Sequence, residues 1–146
     1  MTAQFPEISH RSLKILILDD DFGWRNRVAF GLETSLGIQP LVAASGKEAL
    51  DILTERPIDV VVSDLFMPEM DGYQVLKRVR VLHPQTKVIL MSGDFGAFPI
   101  APFLMIEQGA LAAVPKSEIV STLPDLLRNY WPTLLSNTSA RRCHSV

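Results

Sequence analysis

The sequence predicts an α/β domain: a doubly wound, five-stranded parallel sheet with helices on both faces. Three observations carry this reading. Short apolar runs of strand length alternate five times with longer segments of helical period. Residues 58–63 are almost continuous in valine and isoleucine, as a strand covered on both faces requires. The 146 residues suffice for one well-filled core and are too few for two ordinary ones. Right-handed crossovers then bring the loops after strands one, three, four and five to one edge.

The first strand is expected over residues 14–19. A helix over 25–36 follows, with Val28, Ala29, Leu32 and Leu36 on one face. Residues 38–43 form the second strand, and a short helix over 46–54 turns Ala49, Leu50 and Leu53 inward. After the third strand at 58–63, Asp71-Gly72 is a turn signal with Asp71 as helix cap. The helix over 73–82 turns Val75, Leu76, Val79 and Leu82 inward and ends at His83-Pro84. The fourth strand covers 87–91.

Residues 98–108 are apolar all round and contain Pro99 and Pro102, so a short or late-starting helix is expected there. The fifth strand covers 111–114. The last helix covers 121–131, packing through Leu123, Leu126, Leu127, Tyr130 and Trp131. Ser121 as its cap would place Pro124 in the first turn. The domain is thus expected over 13–135, with 1–12 a flexible lead. Residues 136–146, which lack an apolar period, are expected to form a mobile tail or the start of a linker.

Composition excludes several functions. A net charge of −2 and the isolated Arg141-Arg142 pair give no basis for nucleic-acid or membrane binding. The uncharged stretch 95–106 contains Gly96, Pro99 and Pro102 and is too short to span a bilayer. No apolar leader precedes the first strand, so a cytoplasmic location is expected. The single cysteine, Cys143, rules out an intramolecular disulfide and a thiolate metal cluster. His10, His83 and His144 have no metal-ligand spacing, and no glycine-rich phosphate loop follows the first strand.

The chemistry-bearing residues lie at strand ends. Asp19, Asp20 and Asp21 end the first strand, Asp64 the third and Ser92 the fourth; Lys116 follows the fifth. Carboxylates beside apolar strands resist burial unless they are paired. Open α/β sheets bind ligands in the crevice outside these strand ends. Two or three convergent carboxylates suit a hard divalent cation such as Mg²⁺ (or Mn²⁺) and would repel one another without it. A remaining carboxylate can accept a phosphoryl group, with the cation and Lys116 sharing the charge and the Ser92 hydroxyl bonding a phosphoryl oxygen. Taken alone, Asp21 reads equally as a member of this acidic group or as a helix cap. Trp24 reads as a rim residue or as packing on its own helix. Met67 and Met70 read as loop packing.

Five features in order resemble the response-regulator receiver family of two-component signalling, over roughly residues 13–131. They are Leu16-Ile17-Leu18-Asp19-Asp20-Asp21; Asp64 in Ser63-Asp64-Leu65-Phe66-Met67-Pro68-Glu69-Met70-Asp71-Gly72; Ser92-Gly93; Glu107-Gln108-Gly109-Ala110; and Lys116. The resemblance implies a flavodoxin-like sheet of order 2-1-3-4-5. It implies that Asp20, Asp64 and the Phe66 carbonyl bind Mg²⁺ directly, with Asp19 acting through water. Asp64 would take its phosphoryl group from a phosphohistidine on a sensor histidine kinase or a histidine phosphotransfer protein. Such a domain catalyses at most its own phosphorylation and hydrolysis, without small-molecule turnover, and signals by contact with an effector protein or domain.

The sequence departs from the family in four places. Ala113 stands where an aromatic is usual, and Pro115 precedes Lys116 where a proline usually follows the lysine. The segment between Ser92 and Gly109 is about two residues longer than in the chemotaxis regulator, and its prolines make the fourth helix atypical. Phe66 and Asp94 occupy the two variable positions that tune dephosphorylation. Phe95, Phe98 and Phe103 read as core or, preferably, as a partner surface, with a homodimer across the fourth helix and fifth strand as one outcome. Two alternatives stand beside the leading reading: a pseudo-receiver that only binds, and a small Mg²⁺-dependent phosphatase with an aspartyl nucleophile.

Overall fold

The computed structural model describes residues 11–93 and 101–135. Five parallel strands run β1 (Ile15–Leu18), β2 (Leu41–Ala43), β3 (Val60–Asp64), β4 (Lys87–Ser92) and β5 (Ala112–Pro115). Between and after them lie α1 (Phe22–Leu36), α2 (Gly46–Glu55), α3 (Gly72–Leu82), α4 (Ala101–Glu107) and α5 (Lys116–Tyr130). The spatial order is β2-β1-β3-β4-β5, as expected. No helix among the described residues is long and apolar enough to cross a membrane.

Strand alternation divides the core in two. Ile15, Ile17, Val60, Val62, Ile89 and Met91 face α1 and α5, where Val28, Leu32, Leu36, Ile119, Leu123 and Leu127 cover them. Leu16, Leu18, Val61, Val88 and Leu90 face α2 and α3, meeting Ala49, Leu53, Val75, Leu76 and Val79. Burial on both faces of β1 and β3 explains why these runs carry no polar alternation.

Several boundaries differ from expectation. α1 starts at Phe22, three residues early, because Asp21 caps it by accepting a hydrogen bond from Trp24 N at 3.1 Å. The first turn is hidden in the sequence because Phe22 and Gly23 are exposed and extend no apolar stripe. The second strand is shorter than 38–43. Gly37 is left-handed (φ 68°), Ile38 N bonds back to Leu32 O, and Pro40 has no N–H for a ladder.

The last helix starts at Lys116, so Ser121 is not its cap and Pro124 lies buried in the helix interior. There Pro124 cannot donate to the Val120 carbonyl, a cost that the packing of Ile119, Leu123 and Leu127 offsets. Leu82 is exposed rather than inward, since it stands on the final turn of α3. Ala29 and Leu50 are only partly buried.

Other expectations hold. Asp71 caps α3 with a full capping box: it accepts from Gln74 N at 2.8 Å, while Asp71 N donates to Gln74 Oε1 at 2.9 Å. His83 ends that helix. Met67 and Met70 pack against the second core layer. Phe103 is exposed, with Leu104 and Ile106, on α4. Residues 1–10, 94–100 and 136–146, with Asp94, Phe95, Phe98 and the two tails, lie outside the described residues.

Candidate functional site

Asp19 follows β1 directly and is fully buried, while Asp20 turns to solvent. The strand pairing that fixes Leu18 beside Ser63 sets Asp19 next to the end of β3, where Asp64 is 6% exposed. Carboxylate oxygens of Asp19, Asp20 and Asp64 all lie within 4.8 Å of one another. Asp21 is outside this group and serves as the α1 cap.

Backbone geometry brings the loop after β3 close to the acid. Gly72 N donates to Leu65 O at 2.8 Å, and a Cβ at Gly72 would strike the Asp64 carbonyl, so only glycine lets α3 start there. Phe66 N donates to Asp64 Oδ1 at 3.3 Å, and the Phe66 side chain is half exposed. Glu69 takes a left-handed backbone (φ 68°) in the intervening turn.

Lys116 is the first residue of α5 and reaches both buried acids. Its Nζ is 2.9 Å from Asp19 Oδ2 and donates to Asp64 Oδ2 at 3.3 Å. Asp19 Oδ2 is wholly buried, and the ion pair with the Lys116 ammonium is what compensates its charge. Asp19 Oδ1 accepts from Asp21 N at 2.9 Å, and the Asp19 carbonyl accepts from Arg25 Nη1 at 3.0 Å. Ser92 is fully buried at the end of β4, beside Asp64's partner Met91 and level with Pro115.

Charge is not balanced within this group. Burial pushes the Asp64 carboxyl up to about 6, and the Asp19 carboxylate adds to the rise while Lys116 opposes it. Burial alone would lower the Lys116 ammonium, yet the Asp19 contact and the Asp64 charge outweigh that and leave it raised. One lysine therefore does not neutralise the site. Three convergent carboxylates with a single ammonium between them are the donor set a hard divalent cation takes.

Two residues matter here beyond those the strand ends point to. Arg25 ties α1 to the Asp19 backbone. Trp24 stands at the rim, with Lys116 Nζ 5.3 Å from its ring centroid and the Arg27 guanidinium 4.9 Å away. The sequence signal for both was Asp21 as a helix cap, which puts residues 24 and 25 in the first turn over the site.

The family model of the response regulator receiver domain matches residues 15–128. Sporulation initiation phosphotransferase F of Bacillus subtilis is 37% identical over 122 residues, which cover 82% of this chain and 94% of that one. The transcriptional regulatory protein GlrR of Escherichia coli is 32% identical over 129 residues, covering 86% of this chain and 28% of GlrR. The autoinducer 1 sensor kinase/phosphatase LuxN of Vibrio campbellii is 28% identical over 139 residues, 95% of this chain and 16% of LuxN. The chain thus spans nearly all of the first relative and under a third of the other two.

Among solved structures, a response regulator receiver domain protein from Clostridium thermocellum superposes with TM-score 0.71 at 28% identity, covering 88% of this chain and 98% of that one. The signal receiver domain of an HD domain-containing protein from Pseudomonas fluorescens Pf-5 gives 0.74 at 26% identity, covering 97% and 99%. The cluster of Asp19, Asp20, Asp64 and Lys116 is the active-site arrangement of receiver domains, which accept phosphoryl groups and signal through a phosphorylated aspartate.

Proposed function

The chain belongs to the response regulator receiver domain family, and we propose that it takes a phosphoryl group from a phosphohistidine onto Asp64. The donor is a sensor histidine kinase or a histidine phosphotransfer protein. The observation that carries this reading is Asp64 itself, buried at the end of a central strand and held above the ordinary carboxylate range by burial and Asp19.

Asp19, Asp20 and Asp64, with the Phe66 carbonyl, would hold Mg²⁺ or Mn²⁺. When bound, the cation keeps Asp64 ionised and neutralises charge on the transferred group. Asp64 supplies the oxygen that forms the new P–O bond as the P–N bond to the donor imidazole breaks. Phe66 N–H fixes one Asp64 oxygen and so limits its rotation. Lys116 brings its ammonium to the phosphoryl oxygens, and the buried Ser92 hydroxyl donates to one of them. Removing any one of these donors costs a fixed, low-dielectric contact to developing charge. The phosphorylated state is then read by an effector, for which exposed Phe103, Leu104 and Ile106 on α4 provide an apolar surface that would equally receive a second copy of the chain.

The test is transfer from a histidine phosphotransfer protein carrying labelled phosphate on its imidazole. Label is expected to move to this chain, to be blocked by EDTA and to be absent with Asp64→Asn. Label that stays on the donor, while a small phosphodonor still modifies Asp64, would overturn the histidine-donor half of the proposal.

A further inference from the structure

Lys116 is badly placed by its own backbone. It opens α5, where the helix carries positive partial charge, and Pro115 before it offers no side-chain cap. Its four-carbon stem and rotating ammonium have no fixed direction of their own. Asp19 and Asp64 draw the ammonium inward at 2.9 and 3.3 Å. These are also the carboxylates a divalent cation would claim, and a cation there would repel the lysine.

Trp24 is a contact of Lys116 that a cation does not claim. Its ring centroid is 5.3 Å from Lys116 Nζ, within cation–π range. The indole is itself held. The Trp24 backbone N–H donates to Asp21 Oδ1 and fixes the first turn of α1, while the ring packs against the α1/α5 core layer with the Arg27 guanidinium 4.9 Å from its centroid. Building on the phosphoacceptor function proposed above, we infer that Trp24 is a positioning residue for phosphoryl transfer. From the first turn of α1 it aims the Lys116 ammonium at the phosphoryl group while the carboxylates serve the cation. Trp24 acts through Lys116 and touches no reacting atom.

The experiment compares the parent with Trp24→Leu, Trp24→Met and Trp24→Phe by two independent readouts. The first is the rate of labelling by phosphoramidate with Mg²⁺. The second is the NMR shift of the Lys116 methylene beside Nζ, which the indole ring shields with no phosphodonor present. Both ring-free variants are expected to slow labelling about fivefold, the weight of one such contact, and to move the Lys116 resonance downfield. Trp24→Phe should recover most of the rate and part of the shift. A folded ring-free variant with the parent's rate and an unmoved Lys116 resonance would overturn the inference; a lowered melting temperature alone would mark Trp24 as structural. If the parent takes no phosphoryl group, the proposed function fails, and the Lys116 resonance still decides whether the ring holds the ammonium.

Discussion

At the ends of β1 and β3, Asp19 and Asp64 sit on strands paired on both sides and covered by both core layers. Across the sheet, β5 has a single neighbour, its Ala112 and Ala113 are half-buried, and α4 beside it exposes Phe103, Leu104 and Ile106. The first region holds unfavourable charge, and the rigid surroundings are what keep it there. The second holds little charge and is fastened at points: Arg80 Nη1 donates to Gln108 O at 2.6 Å, and Tyr73 donates to Gln108 Oε1 at 3.2 Å. The chemistry and the proposed readout are thus built with different tolerance. Substitutions on β5 and α4 should change what is signalled while leaving transfer intact.

The largest effects belong to the acidic end. Lys116→Ala should slow phosphoryl transfer by roughly a hundredfold or more. It should also destabilise the cation-free protein at pH 7 by about 3 kcal/mol, because two buried carboxylates lose their counter-charge. Stopped-flow labelling and urea unfolding check the two parts, and a variant as stable as the parent would show that the ion pairs carry no net weight. Asp64→Asn should abolish labelling yet raise cation-free stability at pH 7 by roughly 1 kcal/mol, since it removes a charge the fold disfavours.

The pH dependence sharpens the same point. The folded Asp64 carboxyl titrates at about 6, above its ordinary 3.8. A raised carboxyl favours the fold while protonated, so its contribution is complete below about pH 4 and lost as pH rises through about 6. Cation binding needs the ionised form, so affinity should climb up to about pH 6 and level off above it. Calorimetric titration at pH 5 and pH 7 decides; equal affinities would mean that Asp64 is not held up.

On the side of α4 and β5 the effects are smaller and local. Gly109 has φ 108°, and a Cβ there would meet the Arg80 guanidinium. Gly109→Ala should cost about 1–3 kcal/mol and loosen amide exchange around the α4–β5 turn, with labelling rate unchanged. Ala113→Phe restores the aromatic usual in the family and should leave labelling within about twofold while altering exchange in α4. A large fall in labelling with either variant would erase the distinction between the two regions.

The sequence made the acidic end readable because charge interrupting an apolar strand has few structural reasons to exist. Asp19, Asp64 and Lys116 meet where strand order requires, and the sheet order itself follows from the resemblance. The ends of helices were less legible. Asp21 gave two readings, so the early start of α1 and the placement of Arg25 over the site were missed, while the rim position of Trp24 was one of the two readings its sequence context allowed. Pro124 pointed to a first turn, whereas tertiary packing carries the helix through it. The bidentate pair from Arg11 to Asp59, at 2.8 and 3.0 Å, joins residues 48 apart and left no local pattern to find.

The most direct measurement is intact mass after incubation with acetyl phosphate and Mg²⁺, beside EDTA and Asp64→Asn controls. The account predicts one phosphoryl increment that both controls lose. Well-folded protein that gains no increment, or gains one with Asp64→Asn, would contradict it.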